Sequence, residues 1–455
     1  MDDSQRRPET TDRLLTPTPA LRRQWLPILI AIAVALPSPV IRILETTGAV
    51  HLGLEPLVES LIFGLGILAA ATLLTWAAEV AETEISAGLA LAGLALIAVL
   101  PEYAVDLFFA IQAPHVPICD PDFLPNLVPA DCADPHPQQL AIANMTGANR
   151  LLVGLAWPTI FLIYFLKTGR KTMTVERGNA LGILFLGAAT IYSFSIPLRG
   201  QLSLIDTAVM LSLFGVYLYF TSRQPPEKDR VLVGPAAAIG ALTRLPRRLT
   251  TIAIFVYSAG VIFASAEPFA EGLVDTGENI GVNSFILVQW VAPLASEAPE
   301  FILAGLMAMR ARHQAAMTIL ISSKVNQWTL LLGSLPLAFS ISGQSLEPLD
   351  FDLRQQEELF LTAGQSLFAV AILMSLSMSR WEALVLGGLF VTQFAFTDGR
   401  IRVVYGIVYT ALAMVILIRD IPSMPTFFRA AKDTAFDQER LAAERERPPP
   451  DDGET

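Results

Sequence analysis

Cysteine and histidine are nearly missing from this chain. Its 455 residues include two Cys and four His, which excludes a Cys/His cluster of the zinc type. Charge is also sparse: Asp, Glu, Lys and Arg make up 16% of the residues against 53% hydrophobic. That balance excludes a soluble domain and indicates an integral membrane protein. The net charge of −11 is unevenly placed, and no basic stripe of the kind that binds nucleic acid is present, so no nucleic-acid partner is expected. No Walker A or Rossmann glycine pattern stands out, so ATP-driven pumping has no support and no cofactor is implied. HExxH and GxSxG are absent, as is any convincing Ser-His-Asp set, so the chain does not read as an enzyme.

What the chain does have is long apolar runs. Twelve read as spans, since crossing a bilayer takes ~20 apolar residues. They lie near 25–44, 57–79, 86–112, 139–166, 178–197, 203–221, 249–273, 282–309, 314–341, 358–378, 381–397 and 401–418. The polar stretch 1–23 is long and of mixed charge with no clean cleavage site after it. The run that follows is therefore read as a retained helix over 24–45 and not as a signal peptide. Lys and Arg concentrate in alternate short loops: Arg22 and Arg23; Lys167, Arg170, Lys171 and Arg177; Arg223 to Arg248; Arg310 and Arg312; Arg380; Arg419. With twelve spans these fall on one side, which the positive-inside rule makes the cytoplasm, with both termini there. Arg400 and Arg402 are the exceptions. The expected setting is a bacterial-type plasma (inner) membrane, with the lipid bilayer and small inorganic cations as partners and the oligomeric state open. The loop 114–139 holds both cysteines, Cys119 and Cys132. It falls outside, where a disulfide stapling the loop can persist.

The stretch Ser284 to Phe339 organises the rest. Two apolar runs joined by a short basic hinge carry Glu297, Glu300 and Lys324 near their middles, with Pro293 and Pro299 in the first. A charge at that depth costs at least ~2.5 kcal/mol, and such residues normally face the protein interior and mark an ion path. Proline breaks a helix, and a broken membrane helix is tolerated where its backbone lines a cavity. An earlier stretch, Ser86 to Phe165, repeats the pattern. Pro101-Glu102 matches Pro299-Glu300, and Gly147-Ala148-Asn149 matches Ser322-Ser323-Lys324.

These paired motifs resemble the two α-repeats of the cation/calcium exchanger superfamily, which includes the sodium/calcium exchangers, across roughly Glu59 to Phe396. The resemblance implies an all-α integral membrane fold of about 12 transmembrane helices. Residues 56–221 form the first five-helix repeat and 249–397 the second, inverted by its odd number of spans. A linker over 222–248 would join them, with extra helices at 24–45 and 400–419 and a charged cytoplasmic tail over 420–455, of which Lys432 to Thr455 reads as a frayed helix passing into disorder. It also implies alternating access, with two gate helices sliding against a rigid bundle.

In the resembled family the matching glutamates, here Glu102 and Glu300, form the centre of the ion site. Hard cations favour carboxylate, hydroxyl and carbonyl oxygens. Asn149 stands at the family's amide position and would add a carbonyl ligand. Asp106 lies one turn after Glu102, and Glu297 shares a face with Glu300; close carboxylates cannot all ionise cheaply without a cation. Thr146, Ser296, Ser322, Ser323 and Asn326 are further oxygen candidates, though small polar residues between membrane helices commonly serve packing. The bland alternative for Glu102 and Glu300 is structural pairing with Arg150 or Lys324. The chain departs from the family's G-T-S-x-P-E motif: Ala98 and Val99 replace Thr and Ser in the first repeat. Lys324 stands where the family has Asn or Asp, and Arg150 follows Asn149. A fixed ammonium there would repel cations and could occupy a position that Na⁺ fills elsewhere; alternatively it could form a proton-linked switch with Glu300 or Glu297, or simply neutralise Glu297. The expected function is a secondary antiporter moving Ca²⁺ or Na⁺ against H⁺ or Na⁺. A sodium/proton antiporter on the same fold is the first alternative; a channel or a non-transporting scaffold is the second.

Overall fold

The computed structural model describes residues 23–48, 53–81, 83, 100–116, 135–223, 232, 234–393 and 399–436. Cys119, Cys132, Ala98, Val99 and the end of the tail lie outside them.

The apolar runs are helices, and the sequence signals at their ends explain their limits. α1 (Trp25–Ala35) breaks just before Pro37, which starts α2 (Pro37–Thr46). The first repeat then runs α3 (Pro56–Ala81), α4 (Leu100–Gln112), α5 (Pro137–Leu151), α6 (Trp157–Thr168), α7 (Ala180–Ser193), α8 (Ser195–Arg199) and α9 (Leu204–Thr221). A short α10 (Pro235–Gly240) occupies the linker. The second repeat follows as α11 (Arg244–Ile280), α12 (Ser284–Met309), α13 (His313–Asn326), α14 (Leu332–Gly343), α15 (Leu353–Leu373) and α16 (Arg380–Thr392). α17 (Gly399–Arg419) and α18 (Met424–Phe436) close the chain. Capping boxes start four helices: His136 with Gln139 at α5, Ser203 with Asp206 at α9, Asp352 with Gln355 at α15, and Ser379 with Glu382 at α16. Each satisfies two end groups that lipid cannot.

α11 begins at Arg244, inside the stretch expected as linker over 222–248, and runs 37 residues. Among the described residues seven helices, or eight with one bent pair, are long and apolar enough to cross a membrane. α4 and α16 are too short within the described residues, at 13 each.

The repeats match element by element. Both carry a five-residue π-helical turn, at Leu152–Ala156 between α5 and α6 and at Gln327–Leu331 between α13 and α14. Each turn starts three residues after the matched position, Asn149 or Lys324. π-turns insert one residue into a helix and recur at functional sites. The small strands obey the same symmetry. β1 (Thr172–Thr174) follows α6 and β2 (Gln201–Leu202) precedes α9. β3 (Leu349–Asp350) follows α14 and β4 (Ser377–Ser379) precedes α16. β1 pairs antiparallel with β4, and β2 with β3. Every strand thus pairs with the other repeat. β1 and β2 flank one crossing, so the two ribbons sit at opposite ends.

The first helices of the repeats, α3 and α11, pack along each other. α12 packs against α5, and α4 against α5, bringing both Pro-Glu segments to the matched centre of α5 and α13. α12 is bent by 55° between Ser284–Ala298 and Glu300–Met309, at Pro299. The missing backbone donor of proline accounts for a sharp bend there.

Candidate ion site

The site is built where the Pro-Glu segments of α4 and α12 cross α5 and α13. A close approach makes it possible. A Cβ added at Gly147 would lie 1.8 Å from the Gln289 carbonyl oxygen, so only glycine lets α5 and α12 meet here.

Glu102, Asp106, Glu297 and Glu300 are all buried. Glu102 repels both Glu297 and Glu300, so the carboxylates of the two repeats share one space. Ser323 Oγ donates to Glu300 Oε2 at 2.5 Å, and Gln327 Nε2 donates to Glu297 Oε1 at 2.8 Å. Asn144 Nδ2 donates to Asp106 Oδ1 at 2.9 Å. Second oxygens are left over. Glu102 Oε2, Asp106 Oδ2, Glu297 Oε2, Asn144 Oδ1 and Gln327 Oε1 are buried with no hydrogen-bond partner among the described residues. Buried oxygens without donors are costly. They are also the hard ligands that a divalent or alkali cation takes. No group of three or more His, Cys, Asp or Glu converges to hold a metal among the described residues. A cation here would therefore draw on the two glutamates plus neutral amide and hydroxyl oxygens.

The two basic residues do not pair with the central glutamates. Lys324, fully buried, donates to Asn149 Oδ1 at 2.7 Å and to Asn149 O at 3.3 Å, and its ammonium lies 4.5 Å from the Trp328 ring centroid. It therefore does not take Glu297 as its hydrogen-bond partner. Arg150 forms a buried ion pair with Glu358 of α15 at 2.6 Å, lies over the Trp290 ring, and donates to Gln393 Oε1 at 3.4 Å. Arg402 of α17 extends the pair, with its Nε 3.6 Å from Glu358 and its Nη2 2.8 Å from Glu357. Structural pairing of Glu102 or Glu300 with Arg150 or Lys324 is thus not what the fold uses.

Other candidates divide. Asp106 is fully buried. Thr146 donates to the Ile142 carbonyl and Ser296 to the Ala292 carbonyl of its own helix, which fixes each hydroxyl hydrogen and leaves the oxygen lone pairs available. Ser323 joins the site through Glu300. Ser322 is only half-buried, and Asn326 is buried. Glu358, Gln327, Asn144 and Trp290 are structural partners that the sequence reading passed over. Gln327 was the most legible, being a polar residue inside an apolar run three positions after Lys324.

Two inverted repeats meeting at a buried, oxygen-rich centre describe an integral membrane carrier. The family model for the sodium/calcium exchanger protein matches residues 56–223 and 250–418, and the chain belongs to that family. Its members are transporters and not catalytic enzymes. Among solved structures, the chain is 38% identical to the H⁺/Ca²⁺ exchanger CAX, with a TM-score of 0.81 over 91% of this chain and 99% of that one. It matches native YfkE at 18% identity and a TM-score of 0.55, over 85% of this chain and 100% of that one. It matches the sodium-calcium exchanger NCX_Mj at 15% identity and a TM-score of 0.50, over 75% and 98% of the two chains. The last two show a shared fold. A comparison with curated proteins gave no match.

Proposed function

We propose that this chain exchanges Ca²⁺ for H⁺ across a plasma membrane, with both termini in the cytoplasm, at a site centred on Glu102 and Glu300. The observation that carries the reading is the meeting of glutamates from both repeats, buried, mutually repelling and with oxygens left unsatisfied. Crowded carboxylates are relieved either by a divalent cation or by protons. The two loads exclude each other, and that exclusion is what antiport needs. Lys324 supports a proton partner over sodium, because its ammonium already holds the Asn149 oxygens that a sodium ion would use. The 38% identity to an H⁺/Ca²⁺ exchanger supports the same choice.

The test is flux in proteoliposomes. An imposed pH gradient is expected to drive Ca²⁺ across the membrane, with a reciprocal pH change. Glu102→Gln and Glu300→Gln are expected to abolish both. Ca²⁺ movement driven by a sodium gradient and indifferent to pH would replace this reading with sodium/calcium exchange. Proton-coupled sodium movement without Ca²⁺ would favour the sodium/proton antiporter.

A further inference from the structure

We infer that Lys324 is a tethered cation. Its ammonium fills a monovalent-cation position between the two repeats and removes that position from the transported load. The inference deepens the exchange reading above and, for its flux arm only, rests on it.

Three observations carry it. First, Asn149 and Lys324 hold equivalent places, each three residues before the π-turn of its own repeat. Equivalent residues of two inverted repeats touch one another only where the pseudo-twofold axis passes. Asn149 and Lys324 do touch, through two hydrogen bonds. The ammonium therefore sits at the centre of symmetry, beside the carboxylates and not behind them. Second, its shell is that of a bound cation. It has the side-chain and backbone oxygens of Asn149 at 2.7 and 3.3 Å and the face of Trp328 at 4.5 Å. Carbonyl oxygens and an aromatic face are what an alkali ion or an alkylammonium takes. Third, the shell is closed around it: Lys324 and Trp328 are fully buried, Asn149 is 1% exposed, and the Asn149 amide nitrogen is fixed to the Met145 carbonyl at 2.8 Å. The Asn149 oxygen is thereby held pointing at the ammonium. Asn149 then serves Lys324 and not the travelling ion, and the carrier needs no inorganic monovalent ion to complete its charge.

Truncating the tether tests this. Lys324→Ala leaves a void the size of an alkylammonium facing two oxygens and an indole. In detergent, Na⁺ or methylammonium is expected to change the tryptophan fluorescence of Lys324→Ala saturably. The wild type and the Lys324→Ala/Trp328→Phe double variant are expected to stay silent. This arm needs no calcium transport, so it stands even if the exchange reading fails. In proteoliposomes, wild-type exchange is expected to be indifferent to Na⁺. Exchange by Lys324→Ala should fall about ten- to a hundredfold, the scale of a lost charge-assisted hydrogen bond, and recover with methylammonium but not with bulky choline. Lys324→Gln keeps the chain length without the charge. It is expected to lose exchange without recovery, and it keeps the test open should the alanine variant fail to purify. A Lys324→Gln protein that exchanges at the wild-type rate overturns the inference. So does a Lys324→Ala protein that neither binds a small cation nor is rescued by one.

Discussion

Glu358→Gln is the perturbation with the most calculable outcome. Arg150 and Glu358 meet at 2.6 Å with their side chains 2% and 3% exposed. At that distance the attraction is on the order of 6 kcal/mol with an effective dielectric of about 20. Desolvating the ions costs several kcal/mol each. The intact pair is therefore close to neutral, and the cost lies in leaving one member alone. Removing the Glu358 charge strands a guanidinium that cannot release its proton. The expected loss is roughly 3–5 kcal/mol, the range for a broken buried pair. Arg402 is less affected because it keeps Glu357 at 2.8 Å. Replacing both partners, Arg150→Met with Glu358→Met, removes both the attraction and the desolvation and should return most of the loss. The assay is a double-mutant cycle of Arg150→Met, Glu358→Met and their combination on the midpoint of heat-induced aggregation in detergent, read by size exclusion, with Glu358→Gln measured beside it. Additive losses, with the double variant as unstable as the sum of its singles, would refute the claim that the pair matters as a pair.

Gly147→Val should fail to assemble or lose exchange entirely, since a side chain there meets the Gln289 carbonyl at 1.8 Å; membrane yield and flux check it. Burial holds His136, outside the spans, below the ordinary histidine value, while its ring accepts the Gln138 N–H. The unfolded chain therefore takes up a proton first. Its contribution to stability is complete above about pH 6.5, falls as pH drops below that, and should be less pH-sensitive in His136→Asn, whose side chain also caps. Deleting Val153 converts the π-turn Leu152–Ala156 to regular helix while leaving the flanking helices close to their present facing, so it removes the turn alone. Normal expression with no flux is expected, and retained flux would show the turn to be dispensable.

The parts of this molecule that were legible in its sequence are those where a residue contradicts its surroundings. Glu102, Glu300 and Lys324 stood out because each is a charge inside an apolar run. Pro299 marked the bend, and doubling of the motif revealed the repeats. Glu358 was hidden by the opposite circumstance. It follows Arg354-Gln355-Gln356-Glu357 and reads as the solvated start of a helix, yet it is buried against a residue of the other repeat. The roles of Gln327 and Asn144 depend on which way a helix faces. A π-turn, which no residue type announces, resets that facing by one position. The spacing of Asp106 from Glu102 could be read from the chain, but its depth depends on packing against α5 that local pattern does not encode.

The exchanged ribbons have a bearing on how this protein comes to be. β1 waits for β4 and β2 for β3, so the first repeat leaves the ribosome with its strands unmatched, and only the arrival of the second gives them partners. Neither half has its strands paired without the other. Two separately synthesised halves, on the other hand, hold everything needed to recognise each other, as two subunits of an antiparallel dimer would. The covalent linker makes obligatory a meeting that the strands already specify.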